Sequence, residues 1–142
     1  MQSKQEGNLV LVRLFPGENV HKALEEVGRK HKLQTAIIAS GLGAFKECEL
    51  GYFIKKGEYA KRTWREPVEL VALSGMFSKN AEGGYDFHLH ACIGDKEQTA
   101  WGGHLFSATA HVTNEIALTT SKMKVSRKLE EETGLKGLYY EL

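Results

Sequence analysis

The stretch Leu9 to Phe15, LVLVRLF, is a short apolar run rich in branched side chains that stops at Pro16-Gly17, and it predicts a first strand buried on at least one side. Val20, Ala23, Leu24 and Val27 then recur at helical spacing. Glu18 and Asn19 precede them and Lys30-His31-Lys32 close the run with cations, the polarity expected of one main helix. Thr35 to Ala39 predicts a second strand, and the glycines of Ser40 to Ala44 predict a tight turn after it. Between Cys48 and Trp64, Leu50, Tyr52 and Ile54 alternate, Lys55 to Glu58 supply a turn, and Tyr59 to Trp64 return as the second arm of a hairpin. Val68 to Phe77 predicts a long strand, and Ser78 to Gly84 a polar loop.

Further on, Val112, Ile116 and Leu118 alternate with Thr113, Glu115 and Thr119, the pattern of a half-exposed strand across Ala108 to Thr120. Ser126 predicts the N-cap of a short helix, Arg127 to Thr133, stopped at Gly134, with Leu138 to Tyr140 as a last strand. Many antiparallel strands with one substantial helix give an α+β fold, a curled or barrel-like sheet with the helix packed on it. One domain over residues 1–142, with an ordered core from about 8 to 140, accommodates these elements.

Composition changes this picture little. Lys+Arg 19 against Asp+Glu 18 gives a formal net charge of +1, which excludes a global field drawing the chain to nucleic acid or anionic lipid. Cys48 and Cys92 stand far apart outside any CxxC, fitting a reducing compartment. MQSKQEGNLV lacks an apolar core of signal-peptide length and no apolar run is long enough to span a bilayer, so the expectation is a soluble, cytoplasmic protein without a membrane partner.

Candidate chemistry gathers in Tyr85 to Phe106, YDFHLHACIGDKEQTAWGGHLF. In a strand, His88 and His90 share one face while Phe87, Leu89 and Ala91 take the other. Gly94 to Gln98 suits a hairpin loop. A loop centred on Lys96 would set His104 of the return strand across from His88, unless Gly102-Gly103 form a bulge that turns it away. Three imidazoles on one face can bind one divalent ion and leave a fourth position open. A lone HxH is more simply a hydrogen-bonded pair; the third histidine tips the balance to metal. Cys92 is one pair further along and reads as a small buried residue, and His21, His31 and His111 are assigned no role.

Glu69 is a carboxylate inside an apolar strand, either at the strand's wet end or paired with something inside, and it is the candidate catalytic acid/base partner for a metal-bound water because its strand is next in sequence to the histidine hairpin. The cluster Lys61, Arg62 and Arg65 reads as a charged strand edge or as a contact for an acidic partner. The glycines at 41 and 43 match neither the dinucleotide fingerprint nor the Walker pattern.

The segments RLFPGENV, ASGLGA, ELVALSGMFS, FHLHACIGD and WGGHL, in this order, resemble the PPC domain of plants and prokaryotes over nearly the whole chain. That resemblance implies a homotrimer around a β-sheet core. Plant members carry AT-hooks for DNA, but no Arg-Gly-Arg core occurs in this sequence, so DNA is an unexpected partner. The fold is also similar to that of acetolactate decarboxylase, whose zinc is held by an HxH pair and a third histidine. Carried over, this implicates His88, His90 and His104.

Three readings follow. The first is a metal-binding protein, holding zinc or another divalent transition metal, that binds or transforms a small anionic or carbonyl-containing molecule by lyase-like or hydrolase-like chemistry. The second is a DNA-associated regulatory module, and the third an oligomeric scaffold with structural histidines. They are favoured in that order.

Overall fold

A computed structural model describes residues 1–140 of the chain. Strands β1 (Gln2–Glu6) and β2 (Leu9–Leu14) lead to helix α1 (Val20–Lys30). Then come β3 (Thr35–Lys55), β4 (Glu58–Trp64), β5 (Val68–Lys79), β6 (Tyr85–Gly94), β7 (Ala100–Ser121), β8 (Val125–Leu129) and β9 (Lys136–Tyr140). The main sheet runs β1-β2-β7-β6-β5-β3-β4, every pair antiparallel, and β7 also pairs with β3. Because β3 bonds to both β5 and β7, strands β7, β6, β5 and β3 close on themselves. The α+β fold with a curled antiparallel sheet is as expected.

Each residue row across the closed sheet belongs to one face. The inner row Val10, Leu118, Ile38, Gly75, Leu89 is joined pair by pair, and its four side chains are buried. Helix α1 covers this face with Val20, Ala23, Leu24 and Val27. Asn19 caps it, its side chain accepting from the Lys22 N–H at 3.1 Å, and Arg29 and Lys30 occupy the last turn, where cations suit the helix dipole.

One strand was not foreseen, and three expectations are corrected. Gln2–Glu6 is a strand, although its sequence QSKQE is polar throughout; it pairs along one edge of β2 and needs little apolar surface of its own. The glycine segment at 40–44 is no turn but a bend inside the 21-residue β3. Gly43 has φ +138° and lies so close to β7 that a Cβ would meet the Thr113 carbonyl oxygen at 2.0 Å. Between the pairs Gly43–Asn114 and Phe45–Ala110, residues 111–113 of β7 oppose only Ala44 of β3. That bulge expels Val112, 64% exposed, while Asn114 is fully buried and donates to the Ala44 carbonyl at 3.0 Å.

The third correction is the short helix at 127–133. Residues 125–129 form β8, paired with β9 in a two-stranded hairpin. A helix of that length is marginal in water, whereas the hairpin closes with Glu130 N–H to Leu135 O at 2.9 Å and Gly134 N–H to Glu130 O at 2.8 Å. The glycine stop signal belonged to this turn. Val125 at its root is buried.

Candidate metal centre

β6 exposes His88 and His90 on the face opposite the helix, and β7 brings His104 alongside. The register differs from the expected one by two residues: His104 lies opposite His90, not His88, because the loop is centred on Glu97. A shift of two preserves the face, so the histidines still converge. Gly103 and Gly102 pair in step with Ala91 and Cys92, and no bulge turns His104 away.

The three side chains each offer one nitrogen, all within 4.8 Å of one another. His88 Nε2 and His90 Nε2 are 3.1 Å apart, and the ring centroids are separated by 5.1, 5.6 and 5.4 Å. Two nitrogens on one tetrahedral zinc are about 3.4 Å apart, given bond lengths of about 2.1 Å. The donor set suits a divalent ion, with the His88–His90 pair near that spacing and all three nitrogens close enough to reach a common centre by small rotations of their rings.

Burial and neighbouring charge favour the neutral form of two of these rings, His104 and His88. Burial pushes the His104 imidazole down to about 4, aided by the charges of His90, His88, His21 and Lys61. Partial burial also lowers His88, followed by the Arg127 guanidinium and His90. A neutral imidazole keeps the lone pair a metal needs. Around His104 the aromatic rings of Phe106, at 4.8 Å, and Tyr59, at 6.1 Å, wall the site.

Gly75 supports the centre from β5. Its φ is +128°, and a Cβ there would sit 2.0 Å from the His88 carbonyl oxygen, so only glycine lets β5 approach the backbone that carries His88 and His90. A glycine inside the apolar run ELVALSGMF was the available sequence signal. Arg127, whose charge acts on His88, gave none, because it arrives on the hairpin that sequence reading took for a helix.

Glu69 is not brought to the histidines. It is exposed and pairs with Gly94, whereas His90 pairs with Ser74 five positions further along β5, about 16 Å at 3.3 Å per residue. This is the strand's wet end. Cys92 is half-buried, while burial raises the Cys48 thiol to about 11. His31 sits at the helix end with Nε2 3.0 Å from Ser3 Oγ. His21 is half-buried, edge-on to Phe87 at 5.4 Å.

The profile of the Plants and Prokaryotes Conserved (PCC) domain matches residues 1–122. The chain belongs to this family. It is 30% identical over 125 residues to the bifunctional protein GlmU of a Synechococcus species, a match covering 87% of this chain and 18% of that protein; the chain thus spans about a fifth of the length of the curated relatives it matches. A candidate DNA-binding protein from Bacteroides thetaiotaomicron is similar in structure, with a TM-score of 0.90, 28% identity, and coverage of 98% of this chain and 96% of that one. A metal-containing protein from Archaeoglobus fulgidus is 31% identical with a TM-score of 0.82, and 99% of each chain is covered. A Staphylococcus aureus protein described as similar to alpha-acetolactate decarboxylase shares the fold at 15% identity, with a TM-score of 0.52 over 86% of this chain and 54% of that one. Among the described residues, no helix of the PCC-domain chain is long and apolar enough to cross a membrane.

Proposed function

We propose that this PCC-domain protein holds one divalent transition-metal ion on His88, His90 and His104 and uses the open side of that ion to bind or transform a small molecule. The observation that carries the reading is the convergence of three imidazole nitrogens within 4.8 Å. Zinc suits three imidazoles with an open position, and nickel, cobalt and copper share that donor preference. Such an ion polarises a carbonyl or activates a bound water. The metal-containing relative from Archaeoglobus fulgidus supports the same reading.

The fold leaves Leu9, Leu11, Ile37 and Leu42 between 45% and 56% exposed on the outer face, and this surface suits burial against further copies, with a trimer as the expected assembly. DNA association, suggested by the Bacteroides relative, has less support from the side chains. Lys61 is paired to Glu49 at 3.2 Å and lies over Phe106, and Arg62 lies over both Trp64 and Trp101, 4.6 and 4.2 Å from their ring centroids. These cations are engaged within the fold.

Elemental analysis of protein purified without a histidine tag tests the main reading. A stoichiometric divalent metal is expected. Metal-free, fully folded protein that takes up none on dialysis against zinc would overturn it.

A further inference from the structure

The match to the family covers residues 1–122, and the β8–β9 hairpin beyond it supplies one wall of the histidine site. Arg127 of β8 borders both the cleft of about 710 Å³ that contains His88 and His90 and the recess of about 390 Å³ that contains His88 and His104. Its Nη1 donates to the Lys136 carbonyl at 3.3 Å, while its Nε is buried with no hydrogen-bond partner among the described residues. It forms no ion pair among them either. Asp86, the acidic group whose charge reaches it, is engaged with Lys136 Nζ at 3.7 Å and Asn80 Nδ2 at 3.5 Å. Glu130, on the same cleft, accepts from the Tyr139 hydroxyl at 3.2 Å.

A half-buried guanidinium without a counter-ion is costly, and a divalent cation on the neighbouring histidines would make the cleft more positive still. An anion lying between the two relieves both. The guanidinium fork matches a carboxylate through two parallel N–H donors. Ile37 and Met76 from the sheet and Leu135 and Leu138 from the hairpin give the cleft apolar walls, which suit a short aliphatic body better than a heavily hydrated one.

We propose that Arg127 is the anion anchor of this site, so that a small aliphatic carboxylate binds in the cleft with its charge shared between the Arg127 guanidinium and the metal held by the three histidines. The proposal rests on the trihistidine reading. It makes the hairpin the element that decides ligand class.

The test loads the full chain with cobalt(II) and follows its visible spectrum while propionate, isobutyrate or inorganic phosphate is added. In the native protein the carboxylates should perturb the spectrum and saturate. In Arg127→Gln, cobalt should remain stoichiometric while carboxylate affinity falls at least about tenfold, equivalent to about 1.4 kcal/mol. Arg127→Lys, which keeps the charge without the fork, should fall between the two, and thermal unfolding of both variants checks that the fold is retained. Unchanged carboxylate affinity in Arg127→Gln would overturn the anchor while leaving the metal site standing. Phosphate binding more tightly than either carboxylate would overturn the ligand class. Failure of the native protein to take up cobalt would remove the trihistidine reading and this inference with it.

Discussion

Two adjacent rows of the same sheet have opposite fates. Val10, Leu118, Ile38, Gly75 and Leu89 form the inner row, closed by α1; one residue away on each strand, Leu9, Thr119, Ile37, Met76 and His88 form the outer row. The inner row is finished within one chain. The outer row leaves Leu9 at 45% and Ile37 at 49% exposure and ends at a metal-ligand candidate. The same backbone pairing thus builds a core on one side and an open surface with candidate chemistry on the other, and the hairpin faces the row from Ile37 to His88.

The sharpest way to break that contrast is to damage each face and compare. Phe77→Ala, which removes a fully buried ring packed on Phe87 at 5.1 Å, should destabilise the chain by about 3–5 kcal/mol in denaturant unfolding. His88→Ala or His104→Ala should abolish stoichiometric metal, yet leave the metal-free chain within about 0.5 kcal/mol of native, as measured by elemental analysis and urea titration. Zinc should raise the melting temperature of the native chain and not of these variants. His31→Ala and His111→Ala should keep the ion.

Changing the apolar part of the outer row should alter assembly and spare the fold. Leu11→Lys with Leu42→Lys should move the light-scattering mass from a trimer towards a monomer at micromolar concentration. A native chain already monomeric there would remove the assembly half of the comparison.

A smaller effect concerns His21, which lies outside the three-histidine cluster. Burial holds His21 below the usual imidazole value, so below about pH 6.5 the unfolded chain takes up a proton that the folded chain resists. Its contribution therefore lowers stability as pH falls through that range and is absent above it. The stability difference between native and His21→Leu should drift in favour of the variant from pH 7.5 to pH 5; a constant difference would contradict the burial. The smallest expected effect is that of Glu69→Gln, which should leave metal content unchanged and stability within about 0.5 kcal/mol, because it sits exposed at the far end of β5.

How legible the chain was depends on how local each feature is. The main helix was readable because its apolar spacing and Asn19 cap act within one turn or two. The three histidines were readable because a strand alternates its faces, and an error of two residues in register still returned His104 to the correct side. The bend at Gly43 was misread as a turn, since a glycine that permits a tight turn equally permits the close approach of β7. Glu69 drew attention by its place in an apolar strand, but nearness in sequence to the histidines did not become nearness in space.

By itself the sequence determined the alternation of faces, the helix, the α+β class and which side of the hairpin carries imidazoles, because these follow from periodicities set by the backbone. Only the tertiary structure decided that β3 and β7 are long strands closing the sheet, that the bulge at residues 111–113 expels Val112 and that residues 125–140 fold as a hairpin bringing Arg127 to His88. Those outcomes depend on pairing between segments far apart in the chain, where the partner's register and curvature, rather than any local preference, select the conformation.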